Sequence, residues 1–267
     1  MNELLTFGEI GQSIEEMSEN AMIWVAGVYG MVFGSFFTLL GLRLPRGESI
    51  VLPPSHCDAC QRRLSWYELI PVFSWIGLRG RCRTCGVLVP MTYPMMELLC
   101  GAAFFLAALQ WHWGLGFWIA AWSAVGFVAI AMTDVDQHRI PDAFLIPLTV
   151  GLLAFRLFDH PLPIWDYVLG GLAGMGLLWS IRAVSRGGMG LGDVKMFGYV
   201  GLLVGISGMV LTLVLAACLG VLAGIGLWFS RRMPSDHRVP FGPAIALAAM
   251  MVYLYGSGFL AQYWAIR

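Results

Sequence analysis

Charge is what this sequence has least of. Only 12% of its 267 residues are Asp, Glu, Lys or Arg, and the two signs cancel at 16 each. Soluble domains carry roughly twice that share, which excludes a soluble enzyme and a disordered chain. Without a basic excess there is nothing to neutralise phosphates, so nucleic acid is excluded as a partner. Residues 1–20 contain no Lys or Arg; their charges are Glu3, Glu9, Glu15, Glu16 and Glu19. A secretory signal needs a basic start, so none is read there. An H-E-x-x-H zinc pair and a G-x-x-x-x-G-K-[ST] phosphate loop are also missing.

Apolar residues make up 58% of the chain and the mean hydropathy is +0.75, values that belong to a polytopic membrane protein. Thirty-three glycines suit close helix packing in lipid, within the bundle or between copies. Eleven tryptophans suit interfacial belts. In residues 1–20, Leu4, Leu5, Phe7, Ile10, Ile14 and Met17 recur at helical spacing and predict an interfacial helix.

The spans follow from apolar runs of about 20 residues, somewhat fewer where the ends snorkel. They are 21–42, 95–111 (interrupted near its start by Glu97), 115–133, 143–158 and 167–181, followed by an uncharged run over 196–230. That run has 35 residues; as one helix it would be ~52 Å long, against a hydrocarbon core of ~30 Å. Gly205-Ile206-Ser207-Gly208 supplies a turn that splits it into a hairpin. Basic residues flank it on both sides, which requires an even number of crossings. With 240–264 the total is eight. Placing the N-terminus outside puts fourteen of the sixteen basic residues in cytoplasmic segments, leaving only Arg156 and Arg267 outside. That asymmetry sets the orientation.

Residues 43–94 form a polar insert with Cys57-x2-Cys60 and Cys82-x2-Cys85. Two such pairs offer four thiolates to one tetrahedral Zn²⁺. Two disulfides are the alternative, and a reducing cytoplasm argues against them. Cys100 and Cys218 lie in apolar spans and act as small hydrophobes.

A carboxylate at the edge of a span is costly and therefore a functional candidate. Asp134 closes the third span and Asp193 precedes the sixth, in Gly190-Leu191-Gly192-Asp193-Val194-Lys195. The topology puts both at the cytoplasmic surface. If they meet, one carboxyl keeps its proton while the other acts as base on a water that attacks a peptide carbonyl. Gly190 and Gly192 let backbone or substrate approach Asp193, and Lys195 either lowers the Asp193 pKa or snorkels to phosphates. A helix-capping role is open for Asp193 and favoured for Asp142, and Asp136 is equally well a solvated loop charge. The Gly205–Gly208 string resembles an intramembrane serine nucleophile motif. No histidine lies within a span to partner it, so a turn is preferred.

Taken in order, these motifs resemble the type IV prepilin peptidases that combine leader peptidase and N-methyltransferase activities. The resemblance rests on Gly34-Ser35-Phe36 and Arg43-Leu44-Pro45, the two Cys pairs, and Tyr93-Pro94 with Glu97. It also rests on Asp134 with Ile140-Pro141-Asp142, and on Gly190 to Lys195. It implies Asp134 and Asp193 as the catalytic pair, with Gly190, Gly192, Lys195 and Glu97 in support. It implies a module over 43–94, with Cys57, Cys60, Cys82 and Cys85, that serves methyl transfer. The expected organisation is a periplasmic segment 1–20, a first span 21–42, that cytoplasmic four-cysteine zinc module, and a seven-span aspartyl peptidase domain over 95–267. The expected substrates are prepilins and pseudopilins, with S-adenosylmethionine as methyl donor, in the bacterial inner membrane. A transporter using the two aspartates as a relay is the alternative, although no internal repeat is visible. A non-enzymatic assembly factor is a third reading.

Overall fold

The computed structural model describes residues 7–186, 188–229 and 240–265, with side chains over 20–186, 188–229 and 240–256. The described residues form eight α-helices and no strand. These are α1 (Phe7–Arg43), α2 (Phe73–Gly77), α3 (Thr92–Trp111), α4 (Leu115–Gln137), α5 (Asp142–Arg156), α6 (Ile164–Val184), α7 (Leu191–Phe229) and α8 (Gly242–Ala265). Five stretches are long and apolar enough to cross a membrane: Asn20–Arg46, α3, α4, α6 and α7. The chain is thus an all-α polytopic membrane protein with its cysteine insert between the first two of these. Residues 1–6 and the basic Arg231, Arg232 and Arg238 lie outside the described residues. From residue 7 onward the N-terminal segment is the opening of α1 and not a separate element, because nothing between Gly11 and Gly27 breaks the helix.

Helix α4 is the axis of the bundle. Nearly every residue from Gly116 to Asp134 is buried, and α1, α3, α5 and α8 all pack on it. A helix that is apolar on every side has no face to offer water and must be surrounded. Its end is set locally: His138 adopts a left-handed conformation, φ 53° and ψ 39°, and its N–H donates to the Asp134 carbonyl at 2.9 Å. Pro141 then holds the chain extended before α5 begins. Asp134 is therefore fixed in the last turn of the most buried helix.

The long run in α7 breaks at Gly205, where φ is 73° and ψ −175°, a conformation open to glycine alone. The Ile206 N–H that loses its helical partner donates to Asp166 Oδ2 at 3.2 Å. Arg156 donates to the Leu203 carbonyl on the other side of the break. The 191–204 half runs antiparallel to α6, crossing so closely that a Cβ on Gly201 would lie 2.1 Å from the Gly170 carbonyl. The 206–229 half folds back beside α8, with Gly208 against Val252 and Gly220 against Phe241. The turn expected at Gly205–Gly208 is found at its first residue.

Candidate active site

Three helix ends converge on one cavity of about 520 Å³. Its lining includes Asp134 from the end of α4, His138 to Pro141 from the connection, Asp142 from α5, and Gly190 to Asp193 with Lys195 from the start of α7. The two aspartates, 59 residues apart in sequence, thus face the same space, and Asp193 lies within electrostatic reach of Asp134. Asp134 is buried, and its Oδ2 accepts a 2.8 Å hydrogen bond from the Gly242 N–H. Gly242 is the first residue of α8, so its N–H has no partner within the helix and the positive end of that helix faces the carboxylate. A Cβ at 242 would lie 2.8 Å from that same oxygen. Gly242 was not among the residues singled out from sequence. The signal was there in Phe241-Gly242-Pro243, a small residue and a proline opening an apolar helix.

Gly190 and Gly192 both stand where a side chain would crowd its surroundings. A Cβ on Gly192 would sit 2.6 Å from Ile140 Cβ, so only glycine lets the start of α7 close on the connection after α4. Gly190 approaches Asp193 and its backbone hydrogen-bonds that carboxylate, so the capping role considered for Asp193 coexists with its place in the cavity. Lys195 requires a correction. It does not reach Asp193; its Nζ donates to both oxygens of Asp142, at 2.7 and 2.8 Å. Positions two apart on a helix point to opposite sides, which separates 195 from 193. Asp142 is likewise not an N-cap, since Pro141 holds that position and Asp142 lies in the first turn. Asp136 pairs with Arg46 in two contacts of 2.7 Å, tying the end of α1 to the end of α4.

Glu97 lies away from this cavity. It is buried in α3, accepts the Val72 N–H at 2.7 Å and bonds the Ser35 side chain. Its support goes to the docking of the insert onto α1 and α3.

Within the insert the two Cys pairs form matched knuckles. Each has an antiparallel bridge from one residue before the first Cys to six after it, His56 with Arg63 and Arg81 with Leu88. Each also has a left-handed residue four after it, Gln61 at φ 56° and Gly86 at φ 71°. The four Sγ atoms lie within 4.8 Å of one another, with Cys57 to Cys85 at 3.7 Å and Cys60 to Cys82 at 4.0 Å. Sulfur atoms at the corners of a tetrahedron with bonds of about 2.3 Å are about 3.8 Å apart, so the donor set fits a metal ion. No disulfide joins them. Backbone N–H groups of Cys85 and Thr84 lower the Cys82 thiol to about 6. At Cys85 a Val87 N–H pulls down, but desolvation and the Cys82 thiol outweigh it and leave about 11. Arg62, paired in two contacts with Glu68, and the Ser65 N–H hold the Glu68 carboxyl down to about 2.

Comparison with known proteins finds two matching family regions. Residues 28–111 match the bacterial peptidase A24 N-terminal domain, and residues 121–225 match the type IV leader peptidase family. A prepilin leader peptidase/N-methyltransferase of Bacillus subtilis is 32% identical over 91% of this chain and 98% of its own length. Another of that name from Stutzerimonas stutzeri is 30% identical over 94% and 97%. The type 4 prepilin-like proteins leader peptide-processing enzyme of Escherichia coli is 32% identical over 88% and 94%. No solved structure matches the chain.

Proposed function

The chain belongs to the type IV leader peptidase family, and from that membership we propose that it removes the leader peptide of type IV prepilins or type II secretion pseudopilins. It then methylates the newly exposed N-terminal amine with S-adenosylmethionine. The observation that carries the peptidase reading is the shared cavity of Asp134 and Asp193. One carboxylate takes a proton from a water, which attacks the scissile carbonyl. The other carboxyl donates a proton to the leaving amine. The Gly242 N–H fixes the rotamer of Asp134, which gives the dyad its orientation.

Cys57, Cys60, Cys82 and Cys85 hold Zn²⁺ in this reading, and the ion serves to fold the insert over residues 43–94. The protein crosses the bacterial inner membrane eight times, with residues 1–20 on the periplasmic side and the peptidase domain over 95–267. The fold-back of α7 at Gly205 supports that count, and the asymmetry of basic residues supports a cytoplasmic face for the two aspartates.

The test is cleavage of a purified prepilin in detergent by the wild type, Asp134→Asn and Asp193→Asn. Each variant keeps size and loses the titrating proton. Cleavage is expected to fall by about 10²–10⁴-fold or more in both, with bound metal unchanged. Retention of wild-type cleavage in either variant removes the dyad mechanism.

A further inference from the structure

The insert carries a stretch that suits neither water nor a protein interior. Residues 66–78 read Trp-Tyr-Glu-Leu-Ile-Pro-Val-Phe-Ser-Trp-Ile-Gly-Leu, with Glu68 as their sole charge. That charge is buried against Arg62. Trp66, Phe73 and Ile76 are nonetheless 78%, 68% and 61% exposed. An apolar patch this dense on a polar module marks something that covers it.

Its place in the fold says what. Val72, inside the stretch, has its N–H on the buried Glu97 carboxylate. Glu97 is five residues into α3, ~7.5 Å along the axis, and α3 is one of the membrane-crossing helices. Glu97 also bonds Ser35, eight residues before the end of α1. Val72 is held there at φ 62°, an unfavourable conformation for a β-branched residue. The stretch is thus pinned at the depth of the second turn of a span, beside lipid. Its flanks are basic, with Arg63 before it and Arg79 and Arg81 after it, all exposed. An apolar, aromatic segment between arginines is the composition of an interfacial anchor.

We infer that residues 66–78 insert into the headgroup–acyl boundary of the bilayer leaflet at the Asp134 end, so that the cysteine module is held flat on anionic lipid. This rests on α3 crossing the membrane and is independent of the catalytic roles. The module then has two attachments, Glu97 from within the bundle and the aromatic wedge from outside it.

The experiment is hydroxyl-radical footprinting of the full chain, one copy per nanodisc of phosphatidylcholine with phosphatidylglycerol. Met175, exposed on α6, serves as the reference within lipid, and Leu88, exposed on the second knuckle, as the reference in water. Trp66, Phe73 and Ile76 are expected to oxidise about tenfold more slowly than exposure and intrinsic reactivity require. In a Phe73→Glu, Ile76→Glu double variant with unchanged metal content, that protection is lost at Trp66. Labelling of Trp66 and Phe73 at the Leu88 rate, with Met175 protected, overturns the anchor. Labelling of Met175 as well overturns the membrane placement on which it rests. Protection that arises only when prepilin is added overturns the lipid assignment and makes the patch a substrate-docking surface.

Discussion

The cysteine knuckles and the aspartate cavity are built in opposite ways. Each knuckle is complete within eight residues, 56–63 and 81–88, and its geometry repeats from one copy to the next. The cavity is assembled from helix ends that lie 134, 142 and 193 residues along the chain, with the start of α8 at residue 242 holding Asp134. A local site owes its shape to backbone hydrogen bonds that any copy of the motif would make. An assembled site owes its shape to the packing of whole helices, so a single Cβ at a distant crossing can spoil it. The insert should therefore fail by losing a ligand, and the cavity should fail by losing register.

The sharpest way to break this comparison is Cys82→Ser. Structural zinc contributes on the order of 10 kcal/mol in small domains, so metal analysis is expected to fall from one ion per chain to none. Methylation should go with it while leader cleavage persists. Loss of both activities would show that the two regions are not separable. A smaller effect is expected from Gly242→Ala, whose new Cβ meets Asp134 Oδ2 at 2.8 Å. Cleavage measured on prepilin should drop by about 10²-fold, the typical cost of a misplaced catalytic group, with metal content intact. An Ala variant as fast as wild type would mean that the Asp134 rotamer is not held by α8.

The next contrast is in pH. The Glu68 carboxyl is held at about 2 in the folded chain against an ordinary value of 4.5. A depressed folded value adds stability that is present above 4.5 and is lost as pH falls from there toward 2. Limited proteolysis of the insert between pH 6 and 3 should show steeper acid sensitivity in wild type than in Glu68→Gln. Parallel curves for the two would assign the acid sensitivity to other groups. The smallest effect is expected from Lys195→Met. Its pair with Asp142 is half exposed on both sides, and such pairs contribute about 0–1 kcal/mol. Cleavage should change less than about threefold; a loss comparable to that of Asp193→Asn would return Lys195 to the catalytic group.

What could be read from the sequence follows from the same division. The Cys pairs, the helical class and the break at Gly205 depend on neighbours close in the chain, and spacing and composition carry them. That Asp134 and Asp193 share a face was within reach because membrane topology restricts side even when distance is unknown. The pairing of Asp134 with Gly242 was not, because Phe241-Gly242-Pro243 marks a helix start but does not say which carboxylate, 108 residues away, its backbone N–H will meet. Lys195 misled for a related reason: adjacency in sequence to Asp193 says nothing about direction, and the helical repeat turns the ammonium toward α5. Glu97 shows the converse, a buried carboxylate whose structural partner is a backbone N–H in the insert.

The break at Gly205 leaves the helix that carries Asp193 only fourteen residues long, from 191 to 204, and its neighbour α5 has fifteen. Each spans ~22 Å, several ångströms less than the ~30 Å of a typical hydrocarbon layer. The bundle has a thin flank, capped on its far side by the Arg156 guanidinium over the Tyr167 ring. In the proposed eight-span reading, lipid against that flank shortens to meet it, which draws the polar boundary inward beside Asp193.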